Sequence, residues 1–270
     1  MRGCWVAYRK RVTRRLERRE RRYETEQLLK EKRSEEYEVL EEVFDKSTLM
    51  TIYEFLNKGT IDEIHGVVKA GKEARIYWGK DREGRELAIK IYLTISADFK
   101  KGKIQYIEGD PRFRHIKHDS RSLVFAWALK EFKNLQLAQK AKVRVPKPIA
   151  IKKNVLIMEF IGKDSDPAPE LKELPPKKPE LVYNELLEFV KRLYCKAKLV
   201  HGDISEYNVM VWRGKPILFD MAQALPLSHP MAETLLKRDL ENLHRYFKKL
   251  GVKVLSVEEM HRKVTENGQS

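Results

Sequence analysis

Cysteine is nearly absent: the 270 residues hold two, Cys4 and Cys195, with no C-x-x-C pair. A disulfide scaffold is excluded, and free thiols in a reducing compartment with no disulfide partner are expected. No apolar run approaches the ~18–20 residues of a membrane span, so no membrane partner is expected. The start, MRGCWVAYRKR, has basic residues but no apolar stretch behind them, so it does not read as a secretory leader. Glycine and proline are both missing from residues 4–45, which leaves that stretch nothing to break a helix. Acidic residues fall well short of basic ones, 40 against 55, giving a formal net charge of +15. That excess suits an anionic partner, nucleic acid first. A hydrophobic content of 42% supplies a globular core and excludes a disordered chain. The Lys/Glu load also suits a heat-adapted protein.

Three regions are expected: a basic, charged helical extension over 1–46, a strand-rich lobe over 47–161 and a mostly helical lobe over 162–270. Within the second, IHGVVKAGKEARIYWGKDREGRELAIKIYL reads as three strands broken at Ala70-Gly71-Lys72 and at Asp81–Arg85. Residues 94–120 are polar and basic without a clean period, and read as a long mobile loop. A helix over 121–141 and two strands around Lys152–Asn154 follow. DSDPAPELKELPPKKPE (164–180) reads as a Pro-rich linker, leading to a helix over 181–197 and a helical end from Pro230.

Strand periodicity puts Ala88, Lys90 and Tyr92 on one face of the third strand, with Leu87, Ile89 and Ile91 on the other. An ammonium among apolar rows needs an anionic partner. The 121–141 helix offers Glu131, which falls inside the stripe Val124, Ala128, Leu135 and Ala138. Gly71 permits close backbone approach to a phosphate, and Lys72 adds a positive charge. In LVHGDISEYNVMV (199–211), His201, Asp203, Ser205 and Asn208 crowd between apolar runs. With Gly214-Lys215 as turn centre, NVMVWRGKPILFD becomes a hairpin in which position 209 faces 220. Asn208 and Asp220 then share one end, where two oxygen donors suit Mg²⁺. Asp203, on the loop entering the hairpin, can orient or deprotonate a nucleophile. His115 and His118 share H-x-x-H spacing but have no second ligand pair, so they are not read as a metal site.

This order of glycine turn, A-x-K strand, helix Glu, D-x-x-x-x-N and later Asp resembles the protein-kinase fold. Gly202 stands where Arg is usual, FDMAQA (219–224) replaces D-F-G, and no A-P-E follows. With those departures the chain is similar to the RIO family of atypical serine protein kinases, Rio-one branch, archaeal type. LVHGDISEYNVMV, KAGKEARIYWG, FRHIKHDSRSLVFAWALKEFKNL, VRVPKPI and LLKRDLENLHRYF carry the resemblance over roughly residues 47–250. It implies an α+β, bilobal kinase-like fold: a five-stranded antiparallel lobe with one helix, and a reduced helical lobe lacking the usual peptide-binding helices.

The resemblance also implies ATP with Mg²⁺, or Mn²⁺ in its place. It makes Asp203 the catalytic aspartate. Lys90, paired with Glu131, would hold phosphates, and Asn208 and Asp220 would hold the metal. Asp220 is the third catalytic candidate, as ligand or as nucleophile. Nucleotide contacts are expected from Lys69, Ala70, Gly71, Lys72, Glu73 and Ala74. Further along, Ala88 and the hinge Met158, Glu159, Phe160 and Ile161 are expected to face the adenine. Lys69-Ala70 replaces the family's usual Ser-Thr, and Asp239 resembles the Asp that braces the catalytic loop. A kinase/ATPase that autophosphorylates and acts on the pre-small ribosomal subunit and its rRNA, in the cytoplasm, is the implied activity. The rivals are a phosphotransferase of the aminoglycoside or choline kinase type, which usually carries H-P-x-N where SEYN stands here, and a non-enzymatic RNA-binding assembly factor.

Overall fold

A computed structural model describes residues 44–93, 102–117 and 119–266. The basic extension up to residue 43 and His118 lie outside the described residues. The chain divides into two compact units, Met1–Met50 and Thr51–Ser270. The described part of the first is the start of helix α1 (Lys46–Asn57). There the Asp45 carboxylate accepts from the N–H groups of Ser47 (2.8 Å) and Thr48 (3.0 Å), a side-chain cap on donors the helix leaves free.

The second unit carries a five-stranded antiparallel sheet, β1 (Glu63–Ala70), β2 (Ala74–Lys80), β3 (Glu86–Tyr92), β4 (Pro148–Lys152) and β5 (Val155–Glu159), in the order β1-β2-β3-β5-β4. β3 and β5 lie centrally, and that is why ELAIKIY and VLIME are apolar on both faces. Two short helical pieces follow β3, α2 (Gln105–Glu108) and a 3₁₀ turn (Pro111–Phe113). Residues 102–117 are therefore not the featureless loop expected: Tyr106, Ile107, Asp110 and Phe113 are buried. Helix α3 (Ser120–Lys140), capped by Asp119, packs on β4, β5 and a later 3₁₀ turn (Met221–Gln223).

One short antiparallel pairing, β6 (Gly162–Lys163) with β7 (Asp166–Pro167), opens the Pro-rich stretch. That stretch is not a free linker. Ala168 and Leu171 are buried, and the Leu171 N–H donates to the Val209 carbonyl at 2.9 Å. Buried apolar side chains and a paired backbone tie it to the site hairpin.

The helical lobe holds α4 (Pro179–Arg192), a π-helical turn (Leu193–Ala197), β8 (Leu199–Val200), the hairpin β9 (Val209–Trp212) and β10 (Lys215–Leu218), β11 (Leu225–Pro226), α5 (Ala232–Lys249) and α6 (Val257–Thr265). The fold is α+β and kinase-like, with six α-helices among the described residues. The same residues contain no helix long and apolar enough to cross a membrane.

The hairpin corrects the expected register. Trp212 faces Lys215 and Val209 faces Leu218, so the two-residue turn is Arg213-Gly214, both at positive φ (53° and 75°). Such a turn matches the natural strand twist. Position 209 therefore does not face 220. Asn208 instead accepts from the Phe219 N–H at 3.1 Å, and Asp220 lies beyond the strand in a left-handed conformation (φ 58°).

Candidate active site

β3 points Lys90 toward α3, and the stripe position of Glu131 puts its carboxylate opposite. Lys90 Nζ lies 2.9 Å from Glu131 Oε1 and 3.0 Å from Asp220 Oδ1. The Tyr92 hydroxyl donates to the other Glu131 oxygen. Lys90 and Glu131 are buried, so each needs the other, whereas the Asp220 side chain is 46% exposed and opens into the cleft.

That cleft is a cavity of about 220 Å³. Lys69, Gly71, Lys72, Glu73 and Ala74 bound it from the β1–β2 turn. Of the other expected residues, Lys90, Glu131, Met158, Asn208 and Asp220 also line it. Ala70, Ala88, Glu159, Phe160, Ile161 and Asp203 do not line it. Ala88 pairs with Met158 inside the sheet, and Phe160 and Ile161 are buried. In the hinge the Glu159 N–H donates to Lys147, and the Ile161 carbonyl accepts from Ala168.

The catalytic-loop candidate hangs from α5. The Asp239 carboxylate, fully buried, accepts from the N–H groups of Gly202 (2.7 Å) and Ile204 (2.8 Å). Arg238 donates to the Gly202 carbonyl, and Asn242 donates to that of Ile204 at 2.9 Å. Gly202 has φ +80°, and a Cβ there would sit 3.0 Å from Leu235. That geometry explains why glycine replaces the arginine usual in protein kinases. The loop so held presents Asp203, to which Asn208 Nδ2 donates twice, at the carbonyl and at Oδ2, both 2.9 Å. The Asn208 amide nitrogen is thereby committed, and its oxygen remains as a hard donor on a residue that lines the same cavity as Asp220. A carboxamide oxygen and a carboxylate are ligands that fit Mg²⁺.

A family model described as the RIO domain matches residues 75–260, more than half of the chain. The chain belongs to the RIO family. Among the relatives of this RIO chain is the RIO-type serine/threonine-protein kinase Rio1 of Haloferax volcanii, 41% identical over 220 residues, 82% of this chain and 75% of that one. Serine/threonine-protein kinase RIO1 of Homo sapiens is 37% identical over 231 residues, 84% of this chain but 40% of the human protein. The chain thus spans less than half the length of its human relative. A crystal structure of the Rio2 kinase–ADP/Mg²⁺–phosphoaspartate complex from Chaetomium thermophilum shares the fold, with a TM-score of 0.62 at 20% identity, covering 82% of this chain and 67% of that one.

The charges of the RIO site are mutually set. Burial pulls the Lys90 ammonium down, but the carboxylates of Asp220 and Glu131 outweigh it and hold its pKa above the usual lysine value. Asp220 is pushed up by its recessed position, and Lys90 more than reverses this, keeping the carboxyl below its usual range. Asp203 moves the other way: burial and then the like charge of Asp220 raise it. Neighbouring carboxylates driven apart in this way suit different roles, one an anionic ligand and one a proton acceptor. His201 is buried and drops to about 4, because burial disfavours its charged form. Its Nε2–H donates to the Phe219 carbonyl at 3.2 Å, bracing the approach to Asp220.

Several contributors escaped sequence reasoning. Lys103 pairs with Glu73 at 2.9 Å, tying the segment before α3 to the phosphate turn. Lys69, an expected nucleotide contact, has a link that the sequence did not announce: it pairs with Glu170 and lies 5.5 Å over the Phe219 ring, at the helical lobe's edge. Ile76, Tyr92 and Phe219 also line the cavity. Lys130 and Asn134, at i and i+4 on α3, are fully buried, and polar residues inside an apolar stripe were the signal for them. His115 is exposed, and no group of three or more His, Cys, Asp or Glu side chains gathers into a metal-binding cluster among the described residues.

Proposed function

We propose that this RIO-family chain is an ATP- and Mg²⁺-dependent atypical serine/threonine protein kinase with ATPase activity. It autophosphorylates and acts on small-subunit ribosomal precursors in the cytoplasm, and Mn²⁺ can replace Mg²⁺. One observation carries the reading: a buried ammonium held between a helix carboxylate and a cleft carboxylate, beneath a glycine turn. Structural ion pairs rarely keep one partner open to a cavity beside a second pair of polar ligands. The names of the Rio1 relatives, serine/threonine-protein kinases, support the same class.

In this reading ATP enters with adenine against Met158 and the hinge, using the Glu159 carbonyl and the Ile161 N–H. Its phosphates meet the Gly71–Lys72 backbone and Lys90. Lys90 exchanges Asp220 for phosphate oxygens and keeps Glu131, so no buried charge is stranded. Asn208 and Asp220 hold Mg²⁺, which neutralises charge on the phosphates when bound. Asp203 orients a serine hydroxyl and accepts its proton as the oxygen attacks the γ-phosphorus and the bond to ADP breaks. The raised pKa of Asp203 suits that acceptance.

A second reading concerns Asp220. The solved Rio2 relative is named as a phosphoaspartate complex, and here the Asp220 carboxylate is ionised and open to the cleft. Its oxygen could attack the γ-phosphorus, release ADP and leave an acyl phosphate that water hydrolyses, giving ATPase turnover. Labelled ATP separates the readings. After acid quench, phosphoserine survives hydroxylamine and an acyl phosphate does not. Hydroxylamine-stable label, increased by purified pre-small-subunit particles, is expected for the kinase. Hydroxylamine-labile label absent from Asp220→Asn would establish the nucleophile. Neither labelled protein nor released phosphate would overturn the function proposed.

A further inference from the structure

Three residues after β10, the backbone of 221–224 must hold a sharp course. Asp220 sits at φ 58° and ψ 59°, a left-handed conformation that a residue with a Cβ adopts at a cost unless its surroundings fix it. Two fully buried polar side chains from α3 reach this backbone. Lys130 Nζ donates to the Ala222 carbonyl at 2.9 Å and to the Ala224 carbonyl. Asn134 Nδ2 donates to the carbonyls of Met221 (2.8 Å) and Ala224 (2.9 Å).

The asparagine is itself oriented. Arg112 donates to its Oδ1 at 2.8 Å, and Arg112 is gripped by the fully buried Asp110 through Nε and the terminal nitrogen. With Oδ1 filled by a guanidinium, the Asn134 amide must point its N–H groups at the loop. Among the described residues the Lys130 amine has no carboxylate within ion-pair distance, and burial lowers its pKa to about 7. It sits 5.6 Å from the Trp127 ring and spends its donors on main-chain carbonyls. Burying an ammonium for carbonyls alone is a poor stabilising bargain compared with an apolar side chain. What it does supply is directional anchoring of the segment that begins at Asp220. Glu131, next in sequence to Lys130, meanwhile holds Lys90, so one turn of α3 governs both the cation and the carboxylate of the site.

We propose that Lys130 and Asn134 are positioning residues. By clamping the carbonyls of 221–224 they hold Asp220 in its left-handed conformation, with its carboxylate aimed into the cleft. The chain Asp110–Arg112–Asn134 carries that hold to the segment preceding α3. The inference rests on the reading of Asp220 as a Mg²⁺ ligand. Outer residues that orient a ligand typically change metal affinity by roughly 10- to 100-fold when removed.

The test compares Lys130→Met and Asn134→Asp, each close in size to the original, with Asp220→Asn as benchmark. Amide hydrogen exchange over 219–224 is measured in the metal-free protein. Nucleotide binding is measured in EDTA, and half-maximal Mg²⁺ for ATP turnover separately. Both α3 variants should exchange faster at 219–224 and bind metal-free nucleotide as the wild type does, and their Mg²⁺ requirement should rise by roughly 10- to 100-fold. If Lys130→Met does not fold, Asn134→Asp decides alone. Wild-type exchange at 219–224 would overturn the clamp. So would metal-free nucleotide affinity lost in step with the metal, which marks a general structural defect. A raised Mg²⁺ requirement in Asp220→Asn with none in the α3 variants would overturn the positioning role while leaving the function intact. A wild-type requirement in Asp220→Asn would instead overturn the ligand reading, and the exchange result would still decide whether the clamp exists.

Discussion

His201 should make the protein acid-sensitive by a calculable amount. It is 1% exposed, keeps a neutral ring that donates to Phe219, and has its pKa lowered to about 4 by burial. In the unfolded chain an ordinary histidine titrates near ~6.5. The folded state therefore binds fewer protons than the unfolded state between those values, and stability falls as pH drops through that window. At pH 7.5 both states are almost wholly neutral and the effect is near zero. At pH ~4.5 the unfolded ring is charged and the folded ring mostly is not, and the difference amounts to roughly 2–3 kcal/mol lost. Other groups titrate over the same range, so the comparison is with His201→Gln, which has no ring to charge. Urea denaturation of both proteins, metal-free, at the two pH values isolates the term. The wild type should lose roughly 2–3 kcal/mol more than the variant on acidification. An equal loss in both would show that His201 is not held neutral, and the bracing role would fall with it.

Three further outcomes are expected. Asp239→Asn leaves at least one of the two amide donors of the catalytic loop, at Gly202 or Ile204, without an acceptor. It should cost about 1–3 kcal/mol in urea unfolding and slow turnover, and a wild-type midpoint would refute the brace. Lys90→Ala strands Glu131 beside Asp220 and removes the cation proposed to face the phosphates. Nucleotide affinity should fall while circular dichroism stays native, and unchanged titration with ATP would contradict the assignment. Deleting residues 1–24 removes ten cationic side chains, among them Arg14, Arg15, Arg18 and Arg19. RNA binding should then show a shallower fall of log affinity with log salt, and an unaltered slope would return that stretch to a solvated role.

How much of this was legible in the sequence depends on whether a regular period carried the residue. Lys90 and Glu131 were readable because a strand of period two and a helical stripe each left one charge where only apolar groups belong. Asp239 and the catalytic loop were readable through family resemblance, since nothing in spacing alone says that an α5 carboxylate turns toward Gly202. The hairpin turn reads one residue too late in the sequence, and so the partner of Val209 two residues too far, because Arg213, a residue with no obvious turn preference, takes the left-handed conformation beside Gly214. That error put Asp220 at the end of a strand, when it occupies a left-handed turn beyond one. The stretch 164–180 passed for a linker because Ala168 and Leu171 are isolated apolar residues among prolines and charges, with no period to announce burial. Residues 105–113 were misread for the same reason. Lys130, Asn134 and Lys103 were missed because a lysine or asparagine in a helix is ordinarily solvated, and only the three-dimensional course of 221–224 gives the first two their partners.

The central claim is that Asp203, held by Asn208 on a loop hung from Asp239, serves phosphoryl transfer from ATP bound over Lys90. Its most direct test is release and transfer of labelled γ-phosphate by wild type and Asp203→Ala under saturating ATP and Mg²⁺, with folding checked by circular dichroism. A well-folded variant with turnover reduced by about 10²–10⁴-fold or more is predicted, the range a positioned general base supplies. A folded Asp203→Ala protein that turns ATP over at the wild-type rate would contradict it.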